Sequence, residues 1–432
     1  MGEMKWRSKW NHDEIRAILL EQFQSFWRHD LGITRHKLID LEKAKDSPYA
    51  VIVSGLRRVG KSTLLAQFAH RIGEKQFYYL NFQDDRFLNF EIDDFNDLFQ
   101  YLVELFGDRP VFIIDEIQTI RGWERFVRRF MDLGYKFYIS GSNASLLSGE
   151  LGTLLTGRYL TVELLPFSFR EFLSIKGIEI PPLDRLTTVD QGRLQDAFLT
   201  YVRSGGIPDA LKYPELPVLE TLFDDVLYRD IVTRYRIESV HVLRELAFTM
   251  MSNPATKVSY SKLQKQFFLG SINTIKNYFQ YLENSWLFFT VNFYDYSIKR
   301  QQISPKKVFT IDTGMANKVG FSFSPNTGKY IENIVYLTLR QKDKSIFYWT
   351  SVKDHEIDFY LPSRQYVVQV TYQWDAKTQL RELRAIQEAI HALPVKKALI
   401  LSDRNEDGIK IESVPVAIRS VAQWLLDDEN NK

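Results

Sequence analysis

At 432 residues, 45% of them hydrophobic and 25% charged, the chain has room for about three packed domains and lacks the composition of a disordered protein. The absence of cysteine excludes disulfides, thiolate metal sites and cysteine nucleophiles, while a net charge of +2 decides nothing about a nucleic-acid partner. No leader-like segment and no apolar run of bilayer length are found, so the expectation is a cytoplasmic protein with no membrane partner.

Apolar residues at helical spacing, among them Ile15, Ile18, Leu19, Phe23 and Phe26, predict a helix over 12–29 packed on the domain that follows. Short apolar runs then alternate with helical stretches. Segments 50–53, 77–82, 111–114, 137–139 and 161–165 read as strands of a parallel, doubly wound α/β sheet. Pro181-Pro182 marks a natural boundary, followed by a mostly helical region to about residue 290 and a mixed segment. From about 326 a βαβ-like unit is expected, with strands near 347–349, 357–361, 366–371 and 397–401. Most of the 31 Phe and 22 Tyr should be core.

Between the first strand and its helix, Gly55-Leu56-Arg57-Arg58-Val59-Gly60-Lys61-Ser62 fits G-x-x-x-x-G-K-[ST] at every fixed position. The glycines let backbone N–H groups turn toward phosphate oxygens, and the helix beginning at Lys61, with Thr63 in its first turn, presents its positive end. Lys61 is placed to neutralise the β- and γ-phosphates of ATP, and the Ser62 hydroxyl to hold Mg²⁺. About fifty residues on, the apolar run 111–114 delivers Asp115 to the same sheet edge as a second Mg²⁺ ligand. Glu116, next in line, is the candidate base for the attacking water. After the following strand, Asn143 and then Ser142 are candidates to orient that water; the competing reading is a helix N-cap. Arg158, before the presumed fifth strand, can reach the nucleotide of a neighbouring subunit, or is an ordinary surface arginine after Gly157.

These motifs, with Ile113-Ile114-Asp115-Glu116-Ile117-Gln118, Ser140-Gly141-Ser142-Asn143 and Gly157-Arg158-Tyr159-Leu160, resemble the prokaryotic archaeal-type AAA+ ATPases. The segment 166–172 is similar to the one those proteins carry after the last sheet strand. Tyr201 to Pro208, Tyr228-Arg229-Asp230-Ile231 and Phe309 to Gly314 match further landmarks, so the resemblance covers nearly the whole chain. Leu56 stands where that family usually has proline. The resemblance implies an N-terminal helical segment (1–45), a P-loop AAA+ domain (46–180), a helical lid and winged helix (181–315) and a restriction-nuclease-like domain (316–432). It also implies a homo-oligomer, a ring such as a hexamer, with Arg158 acting in trans.

Two segments bear on what such an ATPase acts upon. Helices beginning near Ser259 and Ile272, separated by Gly270-Ser271, have helix-turn-helix spacing. Asn273 and Lys276 on the second helix, with Lys299, Arg300, Lys306 and Lys307 around the expected wing, form the candidate DNA surface. In the last domain, Glu332, Glu356 and Asp358 follow the layout of metal-dependent nucleases, but Gln369 and Thr371 occupy the positions of the required E-x-K. The nuclease site is therefore expected to be vestigial. The leading expectation is an ATPase whose turnover drives DNA binding or remodelling, with branched DNA as one substrate. The alternatives are an ATP-dependent signalling switch acting on a protein partner and an ATP-regulated metal-dependent nuclease.

Overall fold

The computed structural model describes residues 11–142, 155, 157–321 and 326–428, so the expectation for Asn143 lies outside the described residues. The chain divides into two compact units, Met1–Leu164 and Leu165–Lys432.

The first unit opens with α1 (His12–Trp27), which Asn11 caps by accepting the Asp13 N–H, and α2 (Leu38–Lys43). Strands and helices then alternate: β1 (Ala50–Ser54), α3 (Lys61–Ile72), β2 (Phe77–Asn81), α4 (Phe95–Phe106), β3 (Val111–Asp115), α5 (Trp123–Asp132), β4 (Lys136–Gly141) and β5 (Tyr159–Glu163). The strands pair in parallel in the order β2-β3-β4-β1-β5. Strands β1 and β3 are buried throughout, which is why they read as unbroken apolar runs rather than as alternation. Phenylalanines fill one face of the sheet: Phe95 stacks on Phe126 at 4.0 Å and Phe112 on Phe137 at 4.9 Å. Helix α1 packs on β2, as its apolar spacing predicted.

The second unit combines helices with a mixed nine-stranded sheet, β6 (Thr256–Val258), β7 (Phe288–Phe293), β8 (Lys306–Thr310), β9 (Phe347–Thr350), β10 (Glu356–Leu361), β11 (Tyr366–Val370), β12 (Lys397–Ser402), β13 (Glu406–Ile411) and β14 (Val414–Ser420). Its order is β13-β14-β12-β11-β10-β9-β7-β8-β6. The expected βαβ unit is present: the helix Ala376–Ala392 connects β11 to β12, which pair in parallel. The helices Tyr260–Gln266 and Ile272–Asn284 precede the antiparallel pair β7–β8. Strand β7 also pairs with β9, so a single sheet runs across residues 315/316, where a domain boundary was expected. No helix among the described residues is long and apolar enough to cross a membrane.

Candidate active site

Strand β1 ends at Ser54 and the chain turns at Gly55 against the carbonyl of Leu164, where a Cβ would lie 2.2 Å from that oxygen. Only glycine permits this approach. Gly60, at φ +90°, precedes α3, whose first-turn N–H groups carry no side-chain cap and face the loop. Leu56 and Val59 are fully buried and anchor the loop from below, whereas Arg58 is exposed at φ +61°. Lys61 is 7% exposed, and its ammonium donates to the carbonyls of Gly55 (3.1 Å) and Leu56 (3.0 Å). Those carbonyls hold the charge inside the cradle of its own loop.

The parallel register brings the other candidates to the same edge. Asp115 pairs with Ser140, and Ser54 with Gly141, at the C-terminal ends of β3, β4 and β1. The Asp115 carboxylate is buried; Tyr79 donates its hydroxyl to one oxygen at 2.8 Å and Ser140 donates to the other. Burial first, and then the Asp115 charge, push the Tyr79 phenol well above its usual range, so it stays a donor. Glu116 follows at φ +53°, a left-handed conformation that a non-glycine residue adopts at a cost. Its carboxylate accepts from Gln118 and, at 3.3 Å, from Ser142. Ser62 and Asp115 line one cavity of about 480 Å³, walled also by Gln22, Phe26, Asp84 and Arg86. A hydroxyl and a carboxylate opening into one space beside a buried lysine are a donor set that fits a nucleotide with its divalent cation.

Arg158 lies elsewhere. Its carbonyl accepts the Ala50 N–H at the start of β1, so it sits at the sheet edge opposite the phosphate loop. Its guanidinium is half exposed and pairs with Asp132 at 2.5 Å. Five strand residues at about 3.3 Å each separate the two edges, beyond the reach of an arginine within the same chain.

Segment 29–35, which the sequence left without a role, grips the loop. Arg35 is buried and donates to the Val59 carbonyl at 2.5 Å, while His29 Nε2 lies 2.9 Å from the Thr63 hydroxyl. No local signal marks these residues, because their partners are 24 and 34 positions away.

In the second unit, Asn273 and Lys276 are exposed on the helix Ile272–Asn284, and Lys299 and Arg300 are exposed on a short helix, Ile298–Ile303. Lys306 and Lys307 correct the sequence expectation. Lys306 is buried, with its ammonium on the Gln301 carbonyl at 2.8 Å. The Lys307 side chain is 1% exposed and ion-paired with Glu356 (2.7 Å), Asp358 (2.9 Å) and Glu332. Burial alone would lower its pKa, but Asp358, Glu332 and Glu356 together raise it well above the usual range. Neither lysine can meet a DNA phosphate, because each already neutralises or caps groups inside the protein.

Glu332, Glu356 and Asp358, the acids of the expected vestigial nuclease site, cluster around that ammonium. Gln369 accepts the Asp358 N–H at 3.0 Å and donates to Glu382 at 2.5 Å, and Asp358 accepts the Val370 N–H at 2.9 Å. Gln369 thus ties strands together, and Thr371 turns its hydroxyl to the Gln373 carbonyl. Glu382, buried on the helix Ala376–Ala392, was not foreseen.

The sheet order, the phosphate loop after its first strand and the acidic end of β3 define a P-loop ATPase fold of the AAA+ class. An AAA domain model matches residues 47–173, and a model of a domain of unknown function (DUF8612) matches 195–326. The uncharacterized protein MJ1544 of Methanocaldococcus jannaschii is 31% identical over 390 residues, covering 86% of this chain and 87% of that protein. An uncharacterized protein of Haemophilus influenzae is 28% identical over 405 residues, 90% of this chain and 97% of that one. The chain belongs to the family of AAA-domain proteins that includes MJ1544. Among solved structures, domain III of the Thermotoga maritima replication initiation protein DnaA aligns over 37% of this chain and 76% of that one, at 19% identity. The TM-score is 0.25.

Proposed function

We propose that the protein is a Mg²⁺-dependent ATP hydrolase that works as a homo-oligomer and couples turnover to DNA binding or remodelling. The observation that carries the ATPase reading is that Ser62 and Asp115 line one cavity at the sheet edge where Lys61 begins α3 and Glu116 follows β3. Mg²⁺, when bound, would neutralise charge on the phosphates, and Ser62 and Asp115 are the residues that would hold it. Lys61 exchanges the Gly55 and Leu56 carbonyls for phosphate oxygens. Glu116, held by Gln118 and Ser142, accepts a hydrogen bond from the attacking water and fixes its line of approach. Arg158, out of reach of its own loop, serves a neighbouring subunit.

DNA is favoured over a protein partner by the exposed polar face of the helix Ile272–Asn284, where Asn273 and Lys276 stand clear of the core, with Lys299 and Arg300 exposed nearby in sequence. Cleavage of that DNA is disfavoured, because Lys307 already holds the position among Glu332, Glu356 and Asp358.

Steady-state ATP hydrolysis with single-stranded, duplex and four-way DNA tests the reading. The expected result is turnover abolished by Lys61→Ala and stimulated by at least one DNA structure. Turnover that ignores every DNA, with the Lys61→Ala control inactive, removes the DNA half and leaves the protein-partner switch. Equal turnover in wild type and Lys61→Ala removes the whole proposal.

A further inference from the structure

Helix α1 lies outside the matched AAA domain, yet it builds one wall of the cavity that Ser62 and Asp115 line. Its contact with the sheet is specific. Phe77, Tyr79 and Asn81 alternate to the same face of β2, and α1 covers each. Phe23 and Phe26 pack on Phe77, with ring centroids 5.4 and 6.0 Å away. Phe26 stacks flat on Tyr79, at 3.8 Å and 10° between planes. The Gln22 carboxamide closes a two-way bond with the Asn81 backbone, accepting its N–H at 3.0 Å and donating to its carbonyl at 3.1 Å. It also donates to Asp84 at 2.9 Å. All four side chains, Gln22, Phe23, Phe26 and Tyr79, are buried.

The Tyr79 ring, clamped on this face, reaches across to β3 and ends 2.8 Å from an Asp115 carboxylate oxygen. Ser140 takes the other oxygen, so the carboxylate is fixed at both ends. A carboxylate held in this way presents its remaining lone pairs in one direction and loses no rotamer freedom when a cation arrives.

We propose that Tyr79 is a positioning residue for Asp115, and that α1, through Phe26 and Gln22, sets the orientation in which Asp115 meets the nucleotide-bound divalent cation. This rests on the nucleotide reading above. It makes α1 a working part of the ATP site rather than a packing helix, and gives the N-terminal segment a route by which its displacement would weaken cation binding.

The test measures Mn²⁺ binding to the protein·ADP complex by electron paramagnetic resonance, alongside binding of a fluorescent ADP analogue in EDTA. Tyr79→Phe keeps the stack and deletes the hydroxyl. It is expected to weaken Mn²⁺ about tenfold while leaving metal-free nucleotide affinity as in wild type. Phe26→Leu, which keeps the hydroxyl and removes the stack, shifts Mn²⁺ in the same direction. Unchanged Mn²⁺ affinity in Tyr79→Phe overturns the inference. So does a matching loss of metal-free affinity, which would make Tyr79 a general support of the fold. A wild type that binds no ADP overturns the nucleotide reading itself, an outcome separable from the other two.

Discussion

Lys307 shows how the same residue type takes opposite roles in neighbouring positions of the sequence. Lys299 is exposed to solvent; Lys307, in a buried strand, faces three carboxylates on a helix and on β10. Removing one member of a buried ionic cluster strands the remaining charges. Lys307→Met is therefore expected to cost about 3–5 kcal/mol at neutral pH, read as a lower urea midpoint, with part regained in acid as the carboxylates protonate. Asp312 is the second residue to probe. It is fully buried, and its carboxylate accepts the N–H groups of Gly206 (2.7 Å) and Met315 (2.8 Å). Burial raises its pKa to about 6 from 3.8, against the lowering effect of those donors. The folded state therefore holds the extra proton between about pH 4 and 6, and stability falls as the pH rises through that window. Measured against Asp312→Asn, which does not titrate, the wild type should lose up to about 3 kcal/mol from pH 4 to 7 and no more above it.

At the scale of elements, the phosphate loop is shaped as much by β5 as by its own glycines. The Leu164 N–H donates to the Ser54 carbonyl at 2.8 Å, and the Leu164 carbonyl fills the space beside Gly55. A methyl group there must push strand end and loop apart. Gly55→Ala is expected to abolish nucleotide binding while thermal unfolding of the protein remains cooperative, checked by fluorescent-nucleotide titration and calorimetry. A variant that binds nucleotide as wild type does would mean the loop relaxes around the added carbon. The motif around Gly206 follows the same logic in the second unit: a Cβ would meet the Phe167 carbonyl at 2.3 Å. Two of the sequence landmarks, 201–208 and 309–314, are thus one junction, joined by Asp312.

For the molecule as a whole, the question is whether the site is complete in one subunit. Arg158 stands at the far edge of the sheet, tethered only loosely at the surface to Asp132, since an exposed pair is worth about 0–1 kcal/mol. An arginine freed so readily suits a site on a neighbour. Mixing Arg158→Ala subunits with Glu116→Gln subunits, each inactive alone, should restore part of the hydrolysis, because a mixed interface unites an intact arginine with an intact Glu116. Absence of recovery under conditions where native mass spectrometry detects mixed assemblies would assign each site to one chain.

Local backbone chemistry made the first unit legible. A buried strand, a glycine turn and a helix start lie within about twenty residues, so the loop, Lys61 and Ser62 declare themselves without tertiary knowledge. Asp115 is legible for a related reason, since a parallel strand delivers its C-terminal residue to one edge whatever packs around it. The partners that tune these groups were not legible. Tyr79 meets Asp115 across 36 positions, Gln22 meets Asn81 across 59, and Asp312 meets Gly206 across 106. Lys306 and Lys307 read as wing lysines available to DNA because sequence charge says nothing about which lysines will be buried against partners from other segments. Chain order alone thus determined the strand–loop–helix that builds a phosphate cradle. The tertiary structure decided which charges are buried and what they neutralise, because that depends on surfaces brought together from distant parts of the chain.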